Sequence, residues 1–300
     1  MASSQNASRI VQASFAQGIA QANGLAARAG RILMTPGALS VEVGQGAFGG
    51  IGQTLSNTAS TVTSSDWFTA STSHPMVKKV VNHIVPAHTL RGDYAFEQAG
   101  LQLAASALAT MDKGFFDGLE GLFAAAHPRA GAGDGQVGAA KMYLDAGLAF
   151  NGGTQDNLLA AAALTEANLN LAIRKMLSYR SDRGVPLHLG ANGGLVLVVD
   201  PQNAQVAHEL VRSQLSGSDL ASNFINGLIS DVVVYPFTTD SDDWFLIDKA
   251  NSPVGIAIGE EPTARISYTT NGLMAELTAE VSFCFYKSPY EYGIIGANVA

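Results

Sequence analysis

The stretch DYAFEQAGLQLAASALATMDKGFFDGLEG, residues 93–121, decides how the rest of the chain is read. Within it Phe96, Gly100, Leu103, Ala107, Met111 and Phe115 recur at three- and four-residue intervals, which places them on one face of an α-helix. The Ala-rich interior from Leu101 to Thr110 has high helix propensity, and Asp93 is positioned to cap the first turn. One long helix is predicted, ending where Gly114, Gly118 and Gly121 interrupt the pattern. The Gly/Ala/Asp stretch from His127 to Gly138 then reads as a loop.

Upstream, the chain from Leu39 to about Thr72 is rich in Gly, Ser and Thr and poor in large apolar residues. It suits an extended excursion without a core of its own. Val77, Val80, Val81, Ile84 and Val85 read as the strand leading back, closed by Pro86. Before the excursion, residues 1–40 carry only Ile10, Val11, Phe15 and Ile19 at loosely helical spacing. Two readings stand: an arm that packs on a neighbouring molecule, or a partly frayed helix on its own domain.

Downstream, Thr154 is placed to cap a helix over Leu158 to Leu164, and a further helix would turn Leu169, Ala172, Ile173, Met176 and Leu177 inward. Leu195 to Val199 is a buried strand by its continuous apolar run. Asp200-Pro201 ends it, and Asn203 is the expected cap of a short helix from Ala204 to Arg212. Strands come next at Val232–Tyr235, Trp244–Ile247, Val254–Ile258, Ile266–Thr270 and Leu277–Tyr286. The order predicts an α+β chain without βαβ alternation.

Composition narrows the function classes. The chain has 300 residues, 47% hydrophobic, enough for one large core or two modest ones. Only 14% are charged, against roughly 25% in ordinary soluble domains, as expected when much surface faces other copies. A net charge of −8 without a Lys/Arg block argues against sequence-reading of nucleic acid, though an acidic wall can still enclose DNA. The single cysteine, Cys284, forbids an intrachain disulfide and fits synthesis in a reducing compartment. The N-terminal residues do not read as a signal peptide, and no apolar run approaches the ~20 residues of a membrane span.

Motifs of catalysis are sparse. Gly44-Gln-Gly46-Ala-Phe-Gly49 is a literal G-x-G-x-x-G with Asp66 beyond it, but a dinucleotide site needs a helix after the glycines, and the Ser/Thr-rich run after Gly49 lacks an apolar stripe. It reads as a flexible loop. His74, His83, His88, His127, His188 and His208 are scattered; His83 and His88 would project to opposite faces of one strand and cannot share a metal. Asp240, Asp242 and Asp243 lack the Gly and Glu of a calcium loop and read as a solvated acidic turn. Cys284, pointing opposite to Phe283 and Phe285, lacks a His partner and reads as structural. Asp182-Arg183 and Glu260-Glu261 read as exposed turn charges. No catalytic, cofactor-binding or metal site is expected.

Taken in order, several segments carry a resemblance: Val80-Val-Asn-His-Ile-Val-Pro86, Ala109-Thr-Met-Asp-Lys-Gly-Phe-Phe-Asp-Gly-Leu-Glu-Gly121, Leu195-Val-Leu-Val-Val-Asp-Pro201, Asp243-Trp-Phe-Leu-Ile-Asp248, Pro253-Val-Gly-Ile-Ala-Ile258 and Glu280-Val-Ser-Phe-Cys-Phe-Tyr-Lys-Ser-Pro-Tyr290. The chain resembles the major capsid proteins of tailed bacteriophages, especially the major head subunits of Mu-like prophages, with the Hong Kong 97 type capsid fold. The resemblance implies an N-terminal arm (1–40), an extended β-hairpin loop (41–90), a spine helix with a peripheral domain (91–213), an axial domain (214–265) and C-terminal strands returning to the peripheral domain (266–300).

The implied function is self-assembly through hexamers and pentamers into an icosahedral head around double-stranded DNA, located in the virion and assembled in the host cytoplasm. The implied partner is the chain itself, with scaffolding, portal and decoration proteins as further candidates, and neither a membrane nor a sequence-specific DNA contact. Some such capsids crosslink Lys to Asn between subunits; Lys78 and Lys79 lie near the excursion, but no pattern here carries that chemistry over. The competing readings are an encapsulin-like compartment shell, a nucleotide-binding enzyme using Gly44 to Gly49, and a tail or sheath protein.

Overall fold

The computed structural model describes residues 4–21, 24–46, 69–124, 157–159, 162–179, 186–191, 193–212, 225, 227–236, 242–269, 272–287 and 292–297. In chain order the elements are α1 (Ser4–Gln21), α2 (Leu25–Ala29), β1 (Arg31–Met34), β2 (Ser40–Gly46), β3 (Thr69–Pro75), β4 (Val77–Pro86), α3 (Asp93–Ala124) and β5 (Leu158–Leu159). They continue with α4 (Glu166–Leu177), β6 (Leu195–Val199), α5 (Ala204–Arg212), β7 (Ile229–Val234), β8 (Trp244–Asp248), β9 (Val254–Tyr268), β10 (Met274–Lys287) and β11 (Ile294–Ala297). Two units result: Met1–Val41 with Ser73–Phe116 and Gly255–Tyr286, and Glu42–Thr72 with Asp117–Val254 and Lys287–Ala300. This grouping is drawn differently from the five-part expectation: α3 continues past the expected stop, and β11 pairs with β5 and β8.

In the first unit a four-stranded sheet, in the order β1-β9-β10-β4, packs on α3. β1 runs parallel to β9 from Arg31↔Gly255 to Met34↔Ile258, and β4 runs antiparallel to β10 from Val77↔Phe283 to Pro86↔Met274. On β10 the alternate residues Ala275, Leu277, Ala279, Val281 and Phe283 are buried. They are the apolar half of a strand with one covered face. β4 is therefore part of this sheet over its whole length, although the sequence placed it with the coreless excursion. β2 and β3 form a separate two-stranded sheet.

The glycines of α3 do not end it. The helix runs 32 residues through Gly114, Gly118 and Gly121. A Cβ on Gly114 would collide with the ring of Phe283, so the glycine marks where β10 presses closest. The same logic settles α1. Val11 and Phe15 are buried, a Cβ on Gly18 would lie 2.7 Å from Ala104 Cβ, and one on Gly100 would lie 2.7 Å from the Val11 carbonyl oxygen. α1 thus docks on α3 of its own chain, and the reading of this segment as an arm seated on a neighbour does not hold for α1. Asp93 is the first residue of the helix, preceded by Gly92 at φ +83. From within α3, Asp112 caps α2, accepting from Leu25 N (3.1 Å) and Ala26 N (2.9 Å).

The second unit is built on a five-stranded sheet in the order β5-β11-β8-β6-β7. All five residues of β6 are buried, as its apolar run predicts. α4 covers the sheet with Leu169, Ala172, Ile173 and Met176, and Thr165 caps it by accepting from Asn168 N at 3.3 Å. β6, α5 and the parallel β7 make one βαβ crossover, which the sequence reading had excluded. Ahead of α5, Asp200 caps the short 3-10 turn Pro201–Asn203, its carboxylate accepting from Gln202 N at 2.8 Å. Leu158 and Leu159 are a strand beside β11 and not a helix, because the open sheet edge offers hydrogen bonds that a short Leu/Ala segment cannot match alone. Trp244 is fully buried, its indole Nε1 donating to the Ala162 carbonyl at 2.8 Å.

Candidate assembly surface

Large apolar side chains that fail to reach a core are concentrated in the first unit. Of the twelve exposed large hydrophobics among the described residues, ten lie there: Ile32, Leu33, Met34, Leu39, Val77, Val80, Ile84, Tyr94, Tyr268 and Leu273. Leu39 is 90% exposed. Scattered apolar residues are ordinary on soluble surfaces, but three in succession on β1 with three more on β4 are not. All four residues of β1 face solvent, and β4 is half exposed.

The face of this sheet away from α3 carries polar groups tied across strands. Glu280 on β10 accepts from Lys78 Nζ of β4 at 2.6 Å and from Arg265 Nη2 of β9 at 2.7 Å. The hydrogen bond from Lys78 lowers the Glu280 carboxyl, and the same bond raises the Lys78 ammonium. Four residues along β10, Glu276 accepts from Asn82 Nδ2 at 2.6 Å. These cross-strand ties fix β4 and β9 on either side of β10.

Among the described residues, those weighed for catalysis do not assemble into a site. Gly44 and Gly46 lie in β2, while Gly49 and Asp66 fall outside the described residues, as do Asp182, Arg183, Asp240 and His127. His83 is on β4 with Nε2 3.1 Å from Ser106 Oγ, whereas His88 lies in a short 3-10 turn beyond the strand, so the two do not share a strand as expected. His74 is on β3 and His208 on α5. His188 adopts φ +52 in the turn before Gly190. Asp243, expected to be solvated, is 3% exposed. Glu260 and Glu261 are strand residues of β9 and not turn charges. Cys284 is buried, and burial pushes its thiol up, away from nucleophilic character. Among the described residues no three His, Cys, Asp or Glu side chains are grouped to hold a metal ion.

Two arrangements escaped the sequence reading. Asp248, 2% exposed, accepts from Gly190 N (2.9 Å), Ala250 N (3.0 Å), Asn251 N (3.3 Å) and Asn251 Nδ2 (3.1 Å), tying the turn after β8 to the one before β6. Glu280 with its two cations joins residues 78, 265 and 280, and no local pattern announces a contact over such separations. The described geometry offers surfaces and pinned strands in place of a reaction centre.

A family model described as phage capsid protein matches residues 87–273. No curated protein matches the sequence. Among solved structures, the mature capsid of bacteriophage PhiM1 is 10% identical, with a TM-score of 0.56 over 92% of this chain and 87% of that one. The capsid of the native GTA particle is 11% identical, with a TM-score of 0.55 over 92% and 90%. A virus-like particle from Pyrococcus furiosus is 10% identical, with a TM-score of 0.52 over 97% and 98%. At such identities these likenesses establish a shared fold, the Hong Kong 97 type. The family match reaches further than fold, since it spans well over half of the sequence, and the chain belongs to the phage capsid protein family.

Proposed function

We propose that copies of this major capsid protein assemble through hexamers and pentamers into the icosahedral head of a tailed phage, enclosing double-stranded DNA without reading its sequence. The family match over residues 87–273 carries the reading. The ten exposed apolar residues of the first unit support it, because a subunit that works alone gains nothing from leaving them in water. Many modest contacts per subunit, repeated over a shell, sum to a stable particle. In this reading the first unit supplies the peripheral lobe, residues 117–254 with 287–300 supply the axial lobe that meets its copies around the ring axes, and assembly takes place in the host cytoplasm. The chain performs no chemistry of its own, and scaffolding, portal and decoration proteins are its further partners.

Size-exclusion chromatography of the purified chain followed by negative-stain imaging tests this. Closed spherical shells are expected. Tubes would point to a sheath protein, and a compact monomer at high concentration would overturn the shell reading. Particles isolated from the native source separate the phage head from a cellular compartment: the head contains nuclease-protected DNA, the compartment a protein cargo.

A further inference from the structure

The sheet of the first unit ends in two open edges of opposite charge. At one edge is β4, which pairs with β10 on one side and has no strand on the other among the described residues. It exposes Lys78 and Lys79. At the other edge β1 covers β9 only as far as Ile258, so from Glu260 to Tyr268 the far side of β9 also lacks a strand among the described residues. That stretch exposes Glu260 and Glu261. Arg265 lies on it too, but its guanidinium is bonded to Glu280, which it shares with Lys78.

We propose that copies of this chain join head to tail through these edges, the Lys78–Lys79 edge of β4 in one copy seated against the Glu260–Glu261 edge of β9 in the next. The proposal rests on the shell reading and names the contact within it. Open sheet edges invite pairing with another chain, and charge decides which pairings survive. A β4 edge against a second β4 edge brings two Lys78–Lys79 pairs together, with one Glu280 carboxylate in each copy offsetting only part of their charge, and β9 against β9 brings four carboxylates together. Only the unlike combination attracts, so the same charges that favour the contact reject its two alternatives. Because the two edges differ, the contact is heterologous: it closes by rotation into a ring and not by a twofold into a dimer. Pro262 removes one N–H from the β9 edge, so side chains, with Val80 and Ile84 beside the lysines, carry the contact instead of a continuous backbone ladder.

The test exchanges the charges. One variant carries Lys78→Glu with Lys79→Glu, the other Glu260→Lys with Glu261→Lys, and each is checked by circular dichroism for the wild-type fold. Each alone should need about tenfold more subunit than wild type to form particles, the effect multiplying over repeated contacts. A single chain carrying all four substitutions should assemble near the wild-type concentration, because every contact, in five- and six-membered rings alike, then pairs unlike edges. Glu280→Gln breaks the internal bridge of Lys78 without reversing either edge and should stay within about threefold of wild type. If a doubly substituted variant fails to fold, Lys79→Glu and Glu261→Lys alone repeat the exchange with that bridge intact. Folded variants that assemble like wild type, or a folded fourfold variant that fails to recover, would overturn the edge contact while leaving the shell reading in place. A wild-type chain that forms no particles would sink both.

Discussion

Gly100 and Gly121 sit in the same helix and should respond in opposite senses to the same substitution. At Gly100 a Cβ meets the Val11 backbone, which cannot swing aside, so Gly100→Ala should cost about 1–3 kcal/mol even though Ala is the better helix former. At Gly121 nothing lies within 4 Å, and Gly121→Ala should gain up to about 1 kcal/mol. Denaturant titration of the two variants checks both signs. Asp112 gives a prediction in pH. Burial raises its carboxyl above the ordinary 3.8, and this outweighs the two amides of α2 that pull it down. The folded state therefore holds the proton more tightly than the unfolded chain, and this group's contribution to stability falls as pH rises from 3.8 through its raised value, then levels off. Asp112→Asn keeps one acceptor oxygen and removes the titration, so stability measured from about pH 3 to 7 should lose that downward component. An unchanged slope would contradict the assignment.

Elements were legible where one physical signal decided them. The helical face of α3 and the buried run of β6 could be read directly, since burial on one stripe or on both faces leaves a periodic trace. The glycines of α3 misled, because a glycine that breaks a helix and one that admits a neighbour look alike in sequence. β9 is a single strand of fifteen residues where the sequence suggested two around Glu260-Glu261-Pro262. The proline is tolerated because β9 has become a sheet edge there. β11 could not be foreseen as the middle member that joins β5 to β8. Deleting residues 292–300 removes it and with it the fully buried Ile294 and Ile295, each worth roughly 1.5–3 kcal/mol of burial. The near-UV signal of Trp244 should collapse in that truncation, whereas a native-like signal would show that β11 is dispensable.

At the scale of the whole molecule, the described part of the excursion divides in two. Val77–Pro86 belongs to a sheet, so removing it should unfold the subunit, while 42–72 can be tested separately. The Leu39 carbonyl accepts from Met76 N at 3.0 Å, so the chain on either side of the excursion is already in contact and a short glycine turn can join Val41 to Ser73. That deletion is expected to keep the helical circular dichroism of the subunit and to abolish stable particles. Loss of the fold would count against a role confined to assembly. The amino-acid sequence by itself determined the long helix, the buried strand, the α+β class and the kinship to capsid subunits, because these depend on local periodicity, composition and ordered motifs. Only the tertiary structure decided that the N-terminal helix docks on its own chain, that β4 closes the sheet beside β10, and that Lys78, Arg265 and Glu280 meet. Those outcomes depend on which distant segments approach most closely, and a missing Cβ or an unpaired sheet edge acquires its meaning only from the neighbour it faces.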